Sequence, residues 1–104
     1  MTDRISRLQQ FLQENPADPF VNHALALEYI KIGEEARAKA LFEALLERNP
    51  DYVGSYYHLA KLLERTEDIP GAIKVYEKGM EEAKKAGDTH ALGELRGAYE
   101  ELTF

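Results

Sequence analysis

The sequence contains no cysteine among its 104 residues. This absence excludes a disulfide scaffold, a thiolate zinc site and a cysteine nucleophile. No apolar run approaches the roughly 20 residues that a helix needs to span a bilayer. The opening stretch MTDRISRLQQ also lacks the apolar core of a secretory signal. We therefore expect a soluble protein located in the cytoplasm.

Positive charge is also scarce, since 13 Lys and Arg residues stand against 19 Asp and Glu residues for a net charge of -6. Proteins with a general nucleic-acid or anionic-membrane surface usually carry an excess of positive charge. We expect neither kind of partner. The 44% of hydrophobic and 31% of charged residues are typical of one globular domain with a modest core.

Strand patterns are absent, because apolar residues recur three and four positions apart instead of two. The commonest residues are strong helix formers, and proline and glycine divide the chain into short helices. The predicted helices cover about 3–14, 19–32, 34–48, 52–65, 69–85 and 88–103. The short links between them favour antiparallel neighbours. The sequence therefore predicts an all-α fold.

The helix ends carry recognisable signals. Asp18, Asp68 and Asp88 are predicted N-caps, and Pro19 stands at a first helical position. Gly87 is the predicted end of the fifth helix, because glycine readily adopts the left-handed conformation found there. The apolar face of the first helix is predicted to comprise Ile5, Leu8, Phe11 and Leu12. The charged residues near the end of the fifth helix, Glu82 among them, are predicted to be exposed.

The main pattern is an internal repeat of 34 residues. The segment EARAKALFEALLERNP at 35–50 returns as IPGAIKVYEKGMEEAK at 69–84, which aligns Ala38 with Ala72 and Phe42 with Tyr76. Small residues let two helices approach closely, and the aromatic rings fill the space beside them. A helical pair of this length cannot bury its apolar stripe alone, so neighbouring pairs stack.

This pattern resembles the tetratricopeptide repeat, a helix-turn-helix unit. The residues that carry the resemblance are Leu25, Ala26, Tyr29, Ala38, Phe42 and Pro50 in one repeat, and Tyr56, Leu59, Ala60, Ala72 and Tyr76 in the next. Departures occur at Asn22, Leu63 and Lys84, where an aromatic residue, a tyrosine and a closing proline are usual. A plain helical bundle is the alternative.

The resemblance implies a short right-handed superhelix of stacked antiparallel helix pairs. Its expected parts are an N-terminal half-repeat helix at 3–14, a first repeat at 19–52, a second repeat at 53–87 and a capping helix at 88–103.

In that family the first helix of each repeat lines a concave groove, and this implies a set of candidate binding residues. They are Phe20, His23, Leu27 and Lys31 on the second helix, Tyr57, His58, Lys61 and Arg65 on the fourth, and Arg96 on the last. An apolar and basic groove on an acidic protein suits an extended acidic peptide, since fixed cations pair with carboxylates and aromatic faces bury apolar side chains. The alternative is a solvated charged face on which Tyr57 is only a packing residue.

No catalytic motif is present, so we expect no enzymatic activity. His23, His58 and His90 fall on helices expected to share one face, which raises the alternative of a metal-binding or pH-sensing groove. No two of them stand one turn apart, so we expect no metal and no cofactor. The lysine and asparagine set with which some tetratricopeptide domains clamp a C-terminal carboxylate is not matched, because His23 and Leu27 occupy the corresponding positions. We therefore expect no binding of chaperone tails.

Three functions compete at this point. The first is a protein-interaction module, or adaptor, that binds a peptide or a helix in the groove. The second is a structural or assembly protein, for example a homodimer, that associates with itself through its end helices and the terminal Phe104. The third, an enzyme or small-molecule binder, lacks the residues that it would need.

Overall fold

The computed structural model describes residues 3–103, and within that range every regular element is a helix. The helices are α1 (Asp3–Glu14), α2 (Pro19–Lys31), α3 (Glu35–Arg48), α4 (Gly54–Arg65), α5 (Ile69–Ala86) and α6 (Thr89–Thr103). The predicted all-α fold class is confirmed. Among these helices, none has both the length and the apolar character that crossing a bilayer requires. The proposed contribution of Phe104 lies outside the described residues.

Side chains and glycine end the helices as their chemistry requires. The Asp18 carboxylate accepts a hydrogen bond from the Val21 N–H at 3.1 Å, and Asp68 and Asp88 cap α5 and α6 in the same way at 3.0 Å. Each cap satisfies an N–H group that has no partner within its helix, which stabilises the helix by about 1 kcal/mol. Gly87 ends α5 in the left-handed conformation, with φ of 69°.

The first of two compact units comprises the chain as far as Asn49. In this unit α2 packs against both α1 and α3. Its buried apolar residues are Leu8, Ala24, Leu25, Ala26, Tyr29, Ala38, Phe42 and Leu45. Ala26 and Ala38 have no exposed surface, as expected where two helices approach closely.

The second unit begins at Pro50, and its central element is α5, which packs against α4 and α6. Its buried apolar residues are Tyr56, Leu59, Ala60, Leu62, Leu63, Ala72, Tyr76, Ala83, Leu95 and Ala98. Gly79 is a buried residue of α5 that faces both Tyr56 on α4 and Leu95 on α6. A Cβ atom at this position would lie 2.7 Å from Cβ of Tyr56 and 3.1 Å from Cδ1 of Leu95. Only glycine permits this approach.

Two buried polar side chains each hold one turn: Asn22 holds the turn before α2, and Tyr56 holds the turn before α4. The Asn22 amide donates to the carbonyl oxygens of Pro16 at 3.1 Å and Asp18 at 2.8 Å. The Tyr56 hydroxyl donates to the carbonyl oxygen of Pro50 at 2.6 Å. Both residues are buried, so these hydrogen bonds satisfy groups that would otherwise be costly to remove from water.

Two sequence-based predictions of burial are wrong. Phe11 is 57% exposed, because at 100° per residue it points about 120° away from Ile5, although it stands close to Leu8 in the helical projection. Glu82 is buried, and its carboxylate is paired with Lys78 and Lys85 at 3.0 and 3.4 Å. The hydrogen bond from Lys78 is the main reason that the pKa of Glu82 is lowered.

Candidate functional site

Four of the predicted binding residues, Tyr57, His58, Lys61 and Arg65, form one side of α4, which we call the α4 face. Their spacing places them within an arc of about 100° around the helix. Tyr57, His58 and Lys61 are partly buried, whereas Arg65 is exposed at the end of α4. The face therefore combines an apolar base with positive charge.

The Tyr57 ring organises the α4 face. The Lys61 ammonium lies 5.6 Å from the centroid of the ring, a distance at which a cation is attracted to an aromatic face. The His58 ring meets Tyr57 edge-on, with 5.8 Å between the ring centroids. Contacts on two sides restrict the tyrosine, so little entropy remains to be lost when a ligand packs against it.

Glu64 places a negative charge beside Lys61. Its carboxylate lies 3.7 Å from the Lys61 ammonium, and it accepts a hydrogen bond from the buried hydroxyl of Tyr76. Burial raises the pKa of Tyr76, and the bond to Glu64 raises it further. The ion pair of Glu64 with Lys61 is long and partly exposed, and such pairs contribute little stability.

His58 lies close to charged groups on two helices. Burial lowers its pKa, the Glu94 carboxylate on α6 opposes that effect, and Arg65 adds to it. The folded environment therefore favours the neutral imidazole. Glu94, which sequence reasoning did not select, is the α6 residue whose charge acts on this face.

Arg96 does not join the α4 face. It lines a surface depression between α5 and α6 together with Met80 and Tyr99. Leu95 is buried against Gly79, and a rotation of about 100° per residue then carries Arg96 to one side of α6 and Glu94 to the other. The structure thus places Arg96 beside Met80 and Tyr99, and its part in binding stays a prediction.

The first unit carries a matching row on α2, formed by Phe20, His23, Leu27 and Lys31, which we call the α2 row. Phe20 is 65% exposed. The His23 ring meets Phe42 edge-on, with 5.7 Å between the ring centroids. The Lys31 ammonium pairs with Glu28 at 3.3 Å. The α2 row is thus more apolar than the α4 face.

Glu28 further reduces the positive charge of the α2 row. Its carboxylate also accepts a hydrogen bond from Arg4 at 3.0 Å. Burial by itself raises the pKa of Glu28, but the hydrogen bonds and charges of Lys31 and Arg4 outweigh burial and lower it. The carboxylate therefore stays ionised and neutralises part of the charge of Lys31.

The histidines show no arrangement of metal ligands. Within residues 3–103 no group of three His, Asp or Glu side chains comes close enough to hold a metal ion. His90 is instead paired with Glu94 one turn further along α6, at 3.7 Å.

Comparison with known proteins supports the repeat that the sequence displays. A family model described as the tetratricopeptide repeat matches residues 33–98, which is more than half of the chain. The chain belongs to the tetratricopeptide repeat family. This repeat is a protein-interaction fold. Residues 34 positions apart are equivalent in the repeat, so His23 corresponds to Tyr57, Leu27 to Lys61 and Lys31 to Arg65.

Proteins similar to this chain in structure or in sequence come from different organisms. A tetratricopeptide repeat domain protein of Salinibacter ruber is 47% identical, with 84% of this chain and 88% of that chain covered and a TM-score of 0.80. A tetratricopeptide domain of yeast Sti1, solved as a complex with pHsp70, has a TM-score of 0.87 at 14% identity and covers 95% of this chain and 79% of that chain. A TPR repeat-containing protein of Pseudomonas aeruginosa is 25% identical over 88% of this chain and 87% of its own length.

Proposed function

We propose that this protein is a non-catalytic interaction module that binds an extended acidic segment of another protein on the α4 face. The observation that carries the proposal is the Lys61 ammonium held 5.6 Å from the Tyr57 ring centroid, with Arg65 one turn further along α4. This local positive charge stands on a protein whose net charge is -6. Positive charge concentrated in one place on an acidic protein favours acidic ligands and orients their approach.

The chemistry of the α4 face suits such a ligand. An apolar side chain of the ligand would pack on Tyr57, which is already restricted by its neighbours. A carboxylate of the ligand would displace Glu64 from Lys61, at little cost because that pair spans 3.7 Å.

The α2 row is the weaker candidate for acidic ligands. Leu27 occupies the repeat position of Lys61, so this row carries one cation fewer than the α4 face, and its cation Lys31 lies 3.3 Å from the Glu28 carboxylate. We assign to this row the recognition of apolar side chains through Phe20 and Leu27.

The yeast Sti1 domain shows that a domain of this fold can hold a protein ligand, because it was solved as a complex with pHsp70. At 14% identity that likeness extends to the fold and not to the ligand. His23 and Leu27 stand at the positions where the carboxylate clamp of some family members would need other residues. We therefore propose an internal acidic segment as the ligand, and not a chaperone tail.

The test is quantitative affinity capture from a native lysate, in which the wild-type protein is compared with the double variant Lys61→Glu, Arg65→Glu. We expect the double variant to retain at least about tenfold less of a specific partner, since two attractions become repulsions. Synthetic peptides that cover the sequence of the captured partner would then be tested for binding by fluorescence anisotropy, which locates the acidic segment.

The matched control is Lys39→Glu with Lys74→Glu, which makes the same change of charge at two exposed lysines outside the α4 face. Circular dichroism would establish that all variants keep their helicity and melting temperature. Equal partner retention by the two double variants would overturn the α4 face as the binding site.

A further inference from the structure

A surface depression of about 600 Å³ lies between α5 and α6 and shares no residue with the α4 face. Met80 and Tyr99, both partly buried, form its apolar floor. The depression is large enough to accept one large side chain, which would contact Met80 and Tyr99.

The two ends of this depression carry opposite charges. The Tyr99 hydroxyl donates to Glu77 at 3.1 Å, so the end of α6 lies beside the middle of α5. Glu77 and Glu100 therefore form an acidic end. Lys84 and Lys85, two turns further along α5, form a basic end. Glu81 also lines the depression, and Lys85 is paired with Glu81 and Glu82 at 3.7 and 3.4 Å, so the charge of this end rests mainly on Lys84. The acidic and basic ends lie about 10 Å apart, because each residue advances an α-helix by about 1.5 Å.

The outer side of α1 shows the complementary pattern. Arg7, Gln10, Phe11 and Glu14 line a shallow concavity of about 240 Å³ at helical spacing. Arg7 and Glu14 are seven positions apart, the same spacing as Glu77 and Lys84. Phe11, with 57% of its surface exposed, stands between the two charges.

We propose that α1 of one copy of this protein docks into the α5–α6 depression of a second copy, parallel to α5. Arg7 then meets the acidic end, Glu14 meets the basic end, and Phe11 enters the apolar floor. The reverse orientation would place Arg7 at the basic end and Glu14 at the acidic end, and the resulting like-charge contacts exclude it.

The two contacting surfaces differ, so the interface is heterologous in type. A single docked helix buries a small area, so we expect weak self-association that is detected only at high protein concentration. This inference goes beyond the proposed function and uses none of its residues, so the failure of one leaves the other standing.

The natural absence of cysteine makes site-directed crosslinking a direct test. Differently tagged single-cysteine variants Gln10→Cys and Arg96→Cys would be mixed under mild oxidation. We expect a mixed disulfide in a yield several-fold above that of Gln13→Cys with Arg96→Cys. Gln13 is the matched control, because it is an exposed glutamine of α1 that does not line the α1 concavity.

Charge reversal gives an independent test that leaves the fold intact, since Arg7 and Glu100 are both exposed. Sedimentation velocity should show that Arg7→Glu and Glu100→Arg each weaken self-association by about tenfold. An equimolar mixture of the two variants should regain association, because the reversed charge of one variant then faces the oppositely reversed charge of the other. Glu101→Arg, one residue away and outside the depression, is the control and should associate as the wild type does.

Three results would overturn the proposal. They are a monomer at every protein concentration tested, equal crosslinking of Gln10→Cys and Gln13→Cys, and the absence of rescue in the mixture of charge variants. A monomer that nevertheless loses a captured partner through Phe11→Ser would assign the α1 side to a different protein. The variant Lys61→Glu, Arg65→Glu should leave self-association unchanged.

Discussion

The two helix pairs that carry the repeat, α2–α3 and α4–α5, reach the same arrangement with opposite distributions of side-chain size. The first pair has Asn22 and Leu45 at two buried positions, and the second has Tyr56 and Gly79 at the equivalent ones. The small residue is thus on the first helix of one pair and on the second helix of the other. The amide of Asn22 and the hydroxyl of Tyr56 nevertheless donate to the carbonyl oxygens of equivalent prolines, Pro16 and Pro50.

A second difference concerns a ring that is fully buried in both pairs. Phe42 in the first pair corresponds to Tyr76 in the second, and neither is exposed to solvent. The additional hydroxyl of Tyr76 requires an acceptor, and Glu64 supplies it. The position equivalent to Glu64 is Ile30. Both pairs therefore keep their volume filled and their hydrogen bonds satisfied, while the residues that provide them change together.

The sharpest way to break the comparison is Gly79→Leu, which places the large residue of the first pair into the second. A Cβ atom at Gly79 already approaches Cβ of Tyr56 to 2.7 Å, so the larger side chain forces α4 and α5 apart. We expect a loss of about 3 kcal/mol in the free energy of unfolding. Tyr56→Asn should lose a similar amount, about 3 kcal/mol, because it leaves a cavity.

The double variant Tyr56→Asn, Gly79→Leu recreates the combination found in the first pair. Urea unfolding should reveal a favourable coupling of about 2 kcal/mol between the two substitutions. Gly97→Leu is the control for added bulk, because a Cβ atom at that position would meet no atom within 4 Å apart from its chain neighbours and the backbone of its own helix. Additive losses in the double variant would contradict the paired-volume interpretation.

A smaller effect is expected when the buried rings are exchanged. Phe42→Tyr would bury a hydroxyl opposite Ile30 and should destabilise the protein by about 2 kcal/mol. Tyr76→Phe removes a hydrogen bond from a carboxylate that water can still reach, and should cost about 1 kcal/mol. Chemical unfolding of both variants measures the difference. A smaller loss of stability for Phe42→Tyr than for Tyr76→Phe would show that a hydrogen-bond acceptor for the hydroxyl is not what distinguishes the two pairs.

The smallest expected effect is on the pH dependence of stability. It arises at His58 in the second pair, which corresponds to Ala24 in the first. Burial lowers the pKa of His58 below its ordinary value of 6.5. The folded state thus favours the neutral ring, and this contribution is present above pH 6.5 and is lost as the pH falls through the folded-state pKa.

His58→Ala, which recreates the residue of the first pair, should therefore reduce the loss of stability between pH 7 and pH 5. Thermal unfolding across that range measures the change. His90→Ala is the control, because 86% of the His90 side chain is exposed. An identical pH profile for the wild type and His58→Ala would show that the burial of this histidine has no energetic consequence.

The fold could be predicted from the sequence because its signals are local. Asp18, Asp68 and Asp88 act within three residues of their own position, and Gly87 needs only its own conformational freedom. The repeat of 34 residues supplied the pairing of helices without any knowledge of tertiary contacts. The exact bounds of the repeats stay a prediction.

The candidate site was harder to predict because its properties depend on neighbouring helices. Arg96 and Glu94 are two positions apart on α6, and only the packing of Leu95 against Gly79 decides which of them acts on His58. For these two residues the helical pattern leaves two sides of α6 to choose from, and the packing of α6 against α5 selects one.

The close contact of Gly79 with Tyr56 also determines where a gene for a longer array can be cut and joined. A crossover in the turn between the two helices of a repeat would combine α2 with α5, leaving Asn22 over Gly79 and an unfilled volume. The reciprocal product would set Tyr56 against Leu45, where there is no room. Crossovers between whole repeats keep each matched set together, so this protein can be lengthened or shuffled only in units of a complete helix pair.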